Sequence, residues 1–130
     1  MNKVLVDTDV LIDFTKGHDR ALAALLARQY DGQMELYITP INITEFLNDT
    51  ALVKSGKLAE AKEFLRLFSV CDTTSAIGIT AGEYLRNGTV AFLGDAIIAA
   101  TSVSLELPLL TRNTKHFAKV PKMVFFDKIA

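Results

Sequence analysis

Short apolar runs alternate with longer amphipathic stretches along this chain. The short runs carry apolar residues at consecutive positions, which is typical of strands buried on both faces of a parallel sheet. The longer stretches repeat apolar residues at helical spacing. This alternation predicts βα units around a central sheet that is covered by helices on both faces. The predicted strands are residues 4–6, 36–39, 69–71, 109–111 and 123–126.

Capping and turn residues predict where the intervening helices begin and end. Asp9 precedes the first helical stretch, Asp19 caps the second, and Thr73 or Thr74 caps a later helix that Asn87-Gly88 ends. The pattern predicts further helices over residues 42–55, 58–68 and 96–105, and about one helical turn over 113–117. The apolar and aromatic residues between 42 and 68 also make that region a candidate surface for dimer or partner packing.

Composition narrows the class of protein. The chain has 130 residues, half of them hydrophobic, and a net charge of −1, so we expect one domain over residues 1–130. These values exclude intrinsic disorder and a globally basic nucleic-acid binder. One cysteine and two histidines argue against a disulfide and a structural zinc site. Acids interrupt both the N-terminal segment and the apolar stretch 90–110, which predicts a cytoplasmic protein without a membrane span.

Oxygen-bearing side chains follow several of the predicted strands. Asp7 comes after the first strand, Glu45 lies a turn into the helix after the second, and Asp95 opens the most apolar helix. Thr111 and Asn113 follow the fourth strand. Working residues of an open parallel sheet lie just beyond the carboxyl ends of its strands. Carboxylates gathered there need a cation or raised pKa values, and oxygen ligands without histidine or cysteine suit Mg²⁺ or Mn²⁺. Phosphodiester hydrolysis is the chemistry that such a site favours.

Each of these side chains also has an ordinary structural interpretation. Asp7, Asp9 and Asp95 could each cap a helix, and Glu45 alone could be a helix-surface acid. Thr111 and Asn113 could likewise be caps. The joint occurrence of three acids at successive strand ends is what favours a functional site.

Four segments, taken in order, resemble the motifs of PIN-domain ribonucleases, and their size and spacing are similar to those of VapC-type toxins. The segments are VLVDTDVLID around Asp7, ITPINITEFL around Glu45, GDAIIAAT around Asp95 and LLTRNTKHF around Asn113. The resemblance implies a three-layer α/β/α sandwich with a short, mainly parallel sheet of four to five strands. It also implies a Mg²⁺- or Mn²⁺-dependent endoribonuclease, a homodimer, and a cognate VapB-type antitoxin that blocks the active site.

The resemblance assigns roles to individual residues. Asp7, Glu45 and Asp95 would be metal-binding catalytic acids, with Asn113 at the fourth catalytic position. Thr8, Asp9, Thr39 and Thr111 would orient these groups or contact the substrate. Two positions depart from the family pattern: Asn113 is neutral where many relatives carry an acid, and Asp9 is acidic where a neutral polar residue is more common. The number of metal ions, and the choice for Asp9 between ligand and helix cap, therefore stay open.

A basic stretch follows the fourth motif. Arg112, Lys115, Lys119 and Lys122 occur there without an intervening acid, which fits either a solvated face or phosphate contacts. Arg112, beside Asn113, is the leading candidate for a phosphate contact. His18 and His116 are interpreted as poor general bases, and His116 as a structural or surface residue.

Three other interpretations compete with the ribonuclease. A haloacid-dehalogenase-like phosphatase fits the strand followed by Asp7-Thr-Asp9, but a second acid four residues after Asp95 is missing, since Ala99 stands there. A receiver-type signalling domain fits the length and the parallel sheet, with Asp72 as phosphoacceptor, but lacks adjacent acids after the first strand. An interaction module without catalysis is the third alternative.

Overall fold

A four-stranded, all-parallel sheet organises the computed structural model, which describes residues 2–126. The strand order is β3-β2-β1-β4, so β1 and β2 are the inner strands. Strand β1 pairs with β2 from Asn2 opposite Met34, and with β4 through Leu5 opposite Leu109. The strands are β1 (Asn2–Val6), β2 (Met34–Ile38), β3 (Ser69–Val70) and β4 (Leu109–Leu110).

Helices cover both faces of the sheet, which confirms the predicted three-layer α/β/α sandwich. Alternate residues of β1 divide between two apolar clusters, because successive side chains of a strand point to opposite faces. Val4 and Val6 pack with one set of helices, and Leu5 packs with the other. The first set is α1 (Thr8–Thr15), α2 (Arg20–Tyr30), α3 (Pro40–Leu47), α4 (Ala51–Lys54) and α5 (Leu58–Leu65). The second set is α6 (Ser75–Arg86), α7 (Leu93–Ser104) and a 3₁₀ helix, Thr114–Phe117.

Two helices start at other residues than the sequence predicts, and in both cases an acid that was a candidate N-cap does not cap the helix. Asp7, not Asp9, is the N-cap of α1, and its side chain accepts a hydrogen bond from the Thr8 backbone N–H. Helix α7 begins at Leu93 after the N-cap Phe92, so Asp95 lies inside the first turn and caps nothing. The structural interpretations of Asp9 and Asp95 as caps are therefore wrong. The predicted caps Asp19 and Thr74 are confirmed.

Two predicted elements are shorter than expected. The helix predicted over 42–55 starts earlier, at Pro40, and breaks into α3 and α4. The predicted fifth strand is reduced to one parallel bridge between Leu109 and Phe125. A strand needs a ladder of backbone hydrogen bonds, and the apolar pattern alone does not supply one.

The aromatic residues of region 42–68 mostly serve the core rather than an outer surface. The Phe64 ring stacks on Phe14 with centroids 5.3 Å apart and also contacts Phe46 and Phe68. Val53 and Leu67 are the large apolar side chains of this region that stay exposed. Among residues 2–126 we find no helix with the length and apolar character that a membrane crossing requires.

Candidate active site

The carboxyl ends of the strands open into a cleft of about 470 Å³ that gathers the predicted acids. Six of the nine residues assigned to the site from sequence line it, and they come from four separate segments of the chain. They are Asp7, Thr8, Asp9, Glu45, Asp95 and Asn113. Thr39, Thr111 and Arg112 are outside the lining. The topology accounts for Asp7, Glu45 and Asn113, because they follow β1, β2 and β4 and parallel strands end at the same edge of a sheet. Asp95 reaches the cleft differently, from the first turn of α7, which follows α6 and not a strand.

Asp7 lies at the base of the cleft and is 5% exposed. Its backbone N–H donates to the Leu110 carbonyl at 2.9 Å, which fixes it between β1 and β4. Its carboxylate accepts hydrogen bonds of 2.8 Å from the Thr8 N–H and the Thr111 hydroxyl. Burial, followed by the neighbouring charge of Asp9, raises the pKa of Asp7 to about 7. The fold thus holds a carboxyl group where the charged form is costly unless a cation compensates it.

A chain of hydrogen bonds, buried except at its Glu45 end, orients Glu45. The Thr8 hydroxyl donates to Glu45 Oε1 at 2.6 Å and accepts a 2.8 Å hydrogen bond from the Asn42 amide. The Asn42 side-chain oxygen accepts in turn from the backbone N–H and the hydroxyl of Thr39. Asn42 and Thr39 are fully buried, so they act through Glu45 and Thr8 rather than by touching a substrate.

Asn42 is a site residue that the sequence analysis missed. Its local signal is the capping-box spacing, in which Thr39 and Asn42 bond reciprocally at the start of α3. That spacing indicates a helix start and says nothing about the distant contact with Thr8.

The absence of a side chain at Gly94 makes room for Glu45. A Cβ atom built on Gly94 would overlap Glu45 Oε2, whereas nothing lies within 4 Å of the same atom built on Gly82. Gly94 is outside the left-handed region of backbone conformation, so an alanine would meet no backbone strain there. Glycine at this position is therefore explained by the path of the Glu45 side chain.

His116 is exposed, which agrees with its interpretation as a structural or surface residue, and it also contacts Asp95. Its Nδ1 atom lies 2.9 Å from Asp95 Oδ2, and both residues line the cleft. The ring also lies beside Phe92, with centroids 5.6 Å apart. No local sequence signal marks this contact, because Asp95 and His116 belong to different elements.

Asp9 and Asn113, the two positions that the resemblance leads us to expect as departures from the family pattern, contact each other. The Asn113 amide donates to Asp9 Oδ2 at 2.9 Å. The same oxygen accepts from the Arg112 backbone N–H at 3.1 Å, while Asp9 Oδ1 is buried with no hydrogen-bond partner among the described residues. Burial raises the pKa of Asp9. Asp9 and Asn113 thus form one hydrogen-bonded pair of an acid and an amide.

Arg112 is not free to face the cleft. Its Nε lies 2.9 Å from Asp13 Oδ2, and its guanidinium also reaches Asp19 at 3.4 Å. These two ion pairs occupy the guanidinium that the sequence analysis favoured for a phosphate contact. Arg112 instead supports the site through its backbone N–H, which holds Asp9.

The donor set fits a hard divalent cation that keeps part of its water shell. The oxygens offered by Asp7, Glu45 and Asp95 suit Mg²⁺ or Mn²⁺. Within residues 2–126, however, no three acidic, histidine or cysteine side chains approach closely enough to surround an ion by themselves. Mg²⁺ is usually bound through one or two carboxylates and several waters, which is compatible with this spacing. The buried Asp7 carboxyl, with its raised pKa, is the strongest sign that the site accepts positive charge.

Comparison with known proteins identifies the class. The family model of the PIN domain matches residues 4–123, which is nearly the whole chain. The protein therefore belongs to the PIN-domain family, whose ribonucleases are metal-dependent.

Its relatives are VapC ribonucleases. Ribonuclease VapC10 of Mycobacterium tuberculosis is 32% identical over 121 residues, covering 88% of this chain and 85% of that protein. Ribonuclease VapC of Rickettsia bellii is 26% identical and covers 92% of each chain. A toxin–antitoxin complex from Klebsiella pneumoniae contains a chain that is 30% identical, with a TM-score of 0.71 over 97% of this chain and 99% of that one.

The fold is shared more widely. DNA-bound VapBC from Salmonella typhimurium superimposes with a TM-score of 0.78 at 23% identity, covering 96% of this chain and 97% of that one. Together these findings confirm the predicted fold and family. They leave the phosphatase and receiver interpretations without support.

We expect Asp7→Asn to stabilise the metal-free protein at alkaline pH. Because the folded-state pKa of Asp7 is raised from 3.8 to about 7, the folded state binds a proton more tightly than the unfolded state. Stability from this group is present below pH 4 and is lost as pH rises toward 7. The substitution should recover up to about 4 kcal/mol at pH 8, at roughly 1.4 kcal/mol per unit of pKa shift. Thermal unfolding in EDTA from pH 4 to 8 measures this, with the exposed Asp72→Asn as control. A pH-independent difference between wild type and Asp7→Asn would contradict the expectation.

The double variant Asp9→Asn/Asn113→Asp should be more stable than the single variant Asn113→Asp. Asn113→Asp sets a second carboxylate against Asp9, and we expect it to destabilise the metal-free protein at pH 8. Adding Asp9→Asn restores an amide–carboxylate hydrogen bond, so the coupling free energy should be about 1–3 kcal/mol. Urea unfolding of the four proteins in the double-mutant cycle gives this value. As a control, the changes in unfolding free energy of Asn113→Asp and the exposed Asp31→Asn should add. If the changes for Asn113→Asp and Asp9→Asn also add, the coupling between these two residues is refuted.

Proposed function

We propose that this protein is a Mg²⁺- or Mn²⁺-dependent endoribonuclease, and that Asp7, Glu45 and Asp95 hold the cation. The observation that carries the proposal is the cleft in which three acids from separate elements converge. The raised pKa of Asp7 and the family membership support it. A bound divalent cation supplies polarisation of the phosphodiester and a lowered pKa of water.

The residues of this chain prepare the site for hydrolysis of one P–O bond in RNA. Asp7 presents a buried carboxyl that Thr111 and the Thr8 N–H hold in one orientation. Thr8 fixes Glu45, and His116 fixes Asp95 by contact with Oδ2. Asn113 fills the fourth catalytic position and leaves its side-chain oxygen for the substrate or its water, because its amide nitrogen is bonded to Asp9.

The wider biological assignment is the toxin component of a toxin–antitoxin pair. The relatives named as VapC ribonucleases and the Klebsiella pneumoniae complex support this part of the proposal. A cognate VapB-type antitoxin is then the protein partner, RNA the substrate and a homodimer the working form. The proposal includes one PIN domain over residues 1–130 and a cytoplasmic location.

Neutralisation of Asp95 should abolish cleavage without unfolding the protein. We expect Asp95→Asn to lower the rate by about 100-fold or more, because the cation site loses a charge. The assay incubates total cellular RNA with purified, antitoxin-free protein in Mg²⁺, Mn²⁺ or EDTA. Asp72→Asn, which changes an exposed acid in the same way, should cleave like wild type. Normal cleavage by Asp95→Asn, or cleavage in EDTA, would overturn the assignment.

A methyl group at Gly94 should impair activity while leaving the fold intact. Gly94→Ala must displace the flexible end of Glu45, and we expect about 10- to 100-fold slower cleavage, as for other losses of ligand orientation. Helix propensity favours alanine by about 0.5–1 kcal/mol, so the melting temperature should not fall. Gly82→Ala gives the same change in α6 with open space around it and should leave cleavage unchanged. Equal rates for both variants would show that Glu45 does not need this space.

A further inference from the structure

A second, smaller pocket of about 260 Å³ adjoins the acidic cleft. Phe92 and His116 line both of them and form their common wall. Lys115 and Lys119 line the smaller pocket on the far side of that wall. Its volume is below the range of about 300–1,000 Å³ that is typical of sites for drug-sized ligands, which suits a single nucleotide unit.

The two pockets have opposite charge. The large cleft is lined by four acids, whereas the smaller pocket has two lysines and no acid in its lining. Within residues 2–126 neither lysine forms an ion pair with a carboxylate. Arg112, in contrast, is already paired with Asp13 and Asp19. Lys115 and Lys119 are therefore available to neutralise an external anion.

Phe92 adds an exposed aromatic surface at the junction. Its side chain is 60% exposed although its backbone is fixed, since the Phe92 carbonyl accepts the first hydrogen bond of α7 from Ala96 at 2.9 Å. Burial in the core does not explain this aromatic residue, because most of it stays in solvent on a backbone fixed by the helix start. Aromatic rings beside a basic groove are the usual means by which proteins bind single-stranded nucleic acid without reading its sequence.

We propose that this pocket binds the nucleotide adjacent to the scissile phosphate, with its base stacked on Phe92 and its phosphate held by Lys115 and Lys119. The proposal rests on the endoribonuclease function and adds a subsite to it. One phosphodiester lies among the acids, and the next nucleotide crosses the wall formed by Phe92 and His116. The ligand is single-stranded RNA, because a paired base cannot offer its face for stacking.

RNA binding by Phe92 variants tests the stacking contact. The probe is a fluorescein-labelled, random-sequence, single-stranded RNA octamer, and binding is measured by anisotropy in Mg²⁺. Every protein carries Asp7→Asn so that the probe stays intact. We expect Phe92→Ala and Phe92→Leu to weaken binding about tenfold or more, and Phe92→Trp to retain it. Leu93→Ala is the matched control, because Leu93 is 61% exposed and lines neither pocket.

The salt dependence of the same binding tests the lysines. Each phosphate contact contributes about 0.7 to the slope of log K against log salt concentration for a single strand. The double variant Lys115→Ala/Lys119→Ala should therefore lower the slope by up to about 1.4. Lys54→Ala/Lys62→Ala removes the same charge from exposed positions on other helices and should leave the slope nearly unchanged.

The outcomes separate this subsite from the nuclease function. Equal affinities for Phe92→Ala and Leu93→Ala, equal slopes for the two lysine pairs, or no binding of the octamer would overturn the subsite. Wild-type cleavage in Mg²⁺ is measured in parallel. Cleavage without a Phe92 effect would refute the subsite alone, whereas Phe92-dependent binding without cleavage would support the subsite and count against the nuclease.

Discussion

The burial of one carboxyl group at the end of an inner strand is the constraint on which the rest of the site depends. Asp7 is anchored by backbone pairing to β4, caps α1 and accepts a hydrogen bond from Thr111. An acid 95% removed from solvent must be hydrogen-bonded, neutralised or compensated by a cation. The surrounding elements supply the hydrogen bonds, and the open cleft leaves space for the cation. Burial of the charged Asp7 carboxylate thereby lowers the stability of the metal-free protein and favours the binding of a cation.

Neutral polar groups orient two of the acids, Glu45 and Asp9. Glu45 is oriented by a relay from Thr39 through Asn42 and Thr8, and all three are buried. These hydrogen bonds orient the Glu45 carboxylate without adding charge to a site that already contains several acids. The pair formed by Asp9 and Asn113 follows the same logic, because an acid and an amide meet where two acids would repel.

The basic side chains near the cleft fall into two groups, one paired with acids and one not. Arg112 pairs with acids on the outside of the site and steadies the loop after β4. Lys115 and Lys119 stay available one pocket away, beyond Phe92 and His116. A substrate that spans both pockets would meet acids with their cation at one phosphate and lysines at the next. Within residues 2–126 neither lysine forms an ion pair with an acid of the cleft.

The sequence by itself determined the architecture and the acids. Consecutive apolar runs predicted the parallel strands, and chain order then put Asp7 and Glu45 at one edge, where the structure has them. Asp95 was also singled out from sequence, but it enters the cleft through the packing of α7, which follows a helix and not a strand. Tertiary structure alone decided which groups touch. The bond from Asn42 to Thr8, the contact of His116 with Asp95 and the capture of Arg112 by Asp13 and Asp19 join residues that are distant or differently placed in the chain. Periodicity reports which face a residue occupies, and only packing fixes the distance between two side chains on different elements.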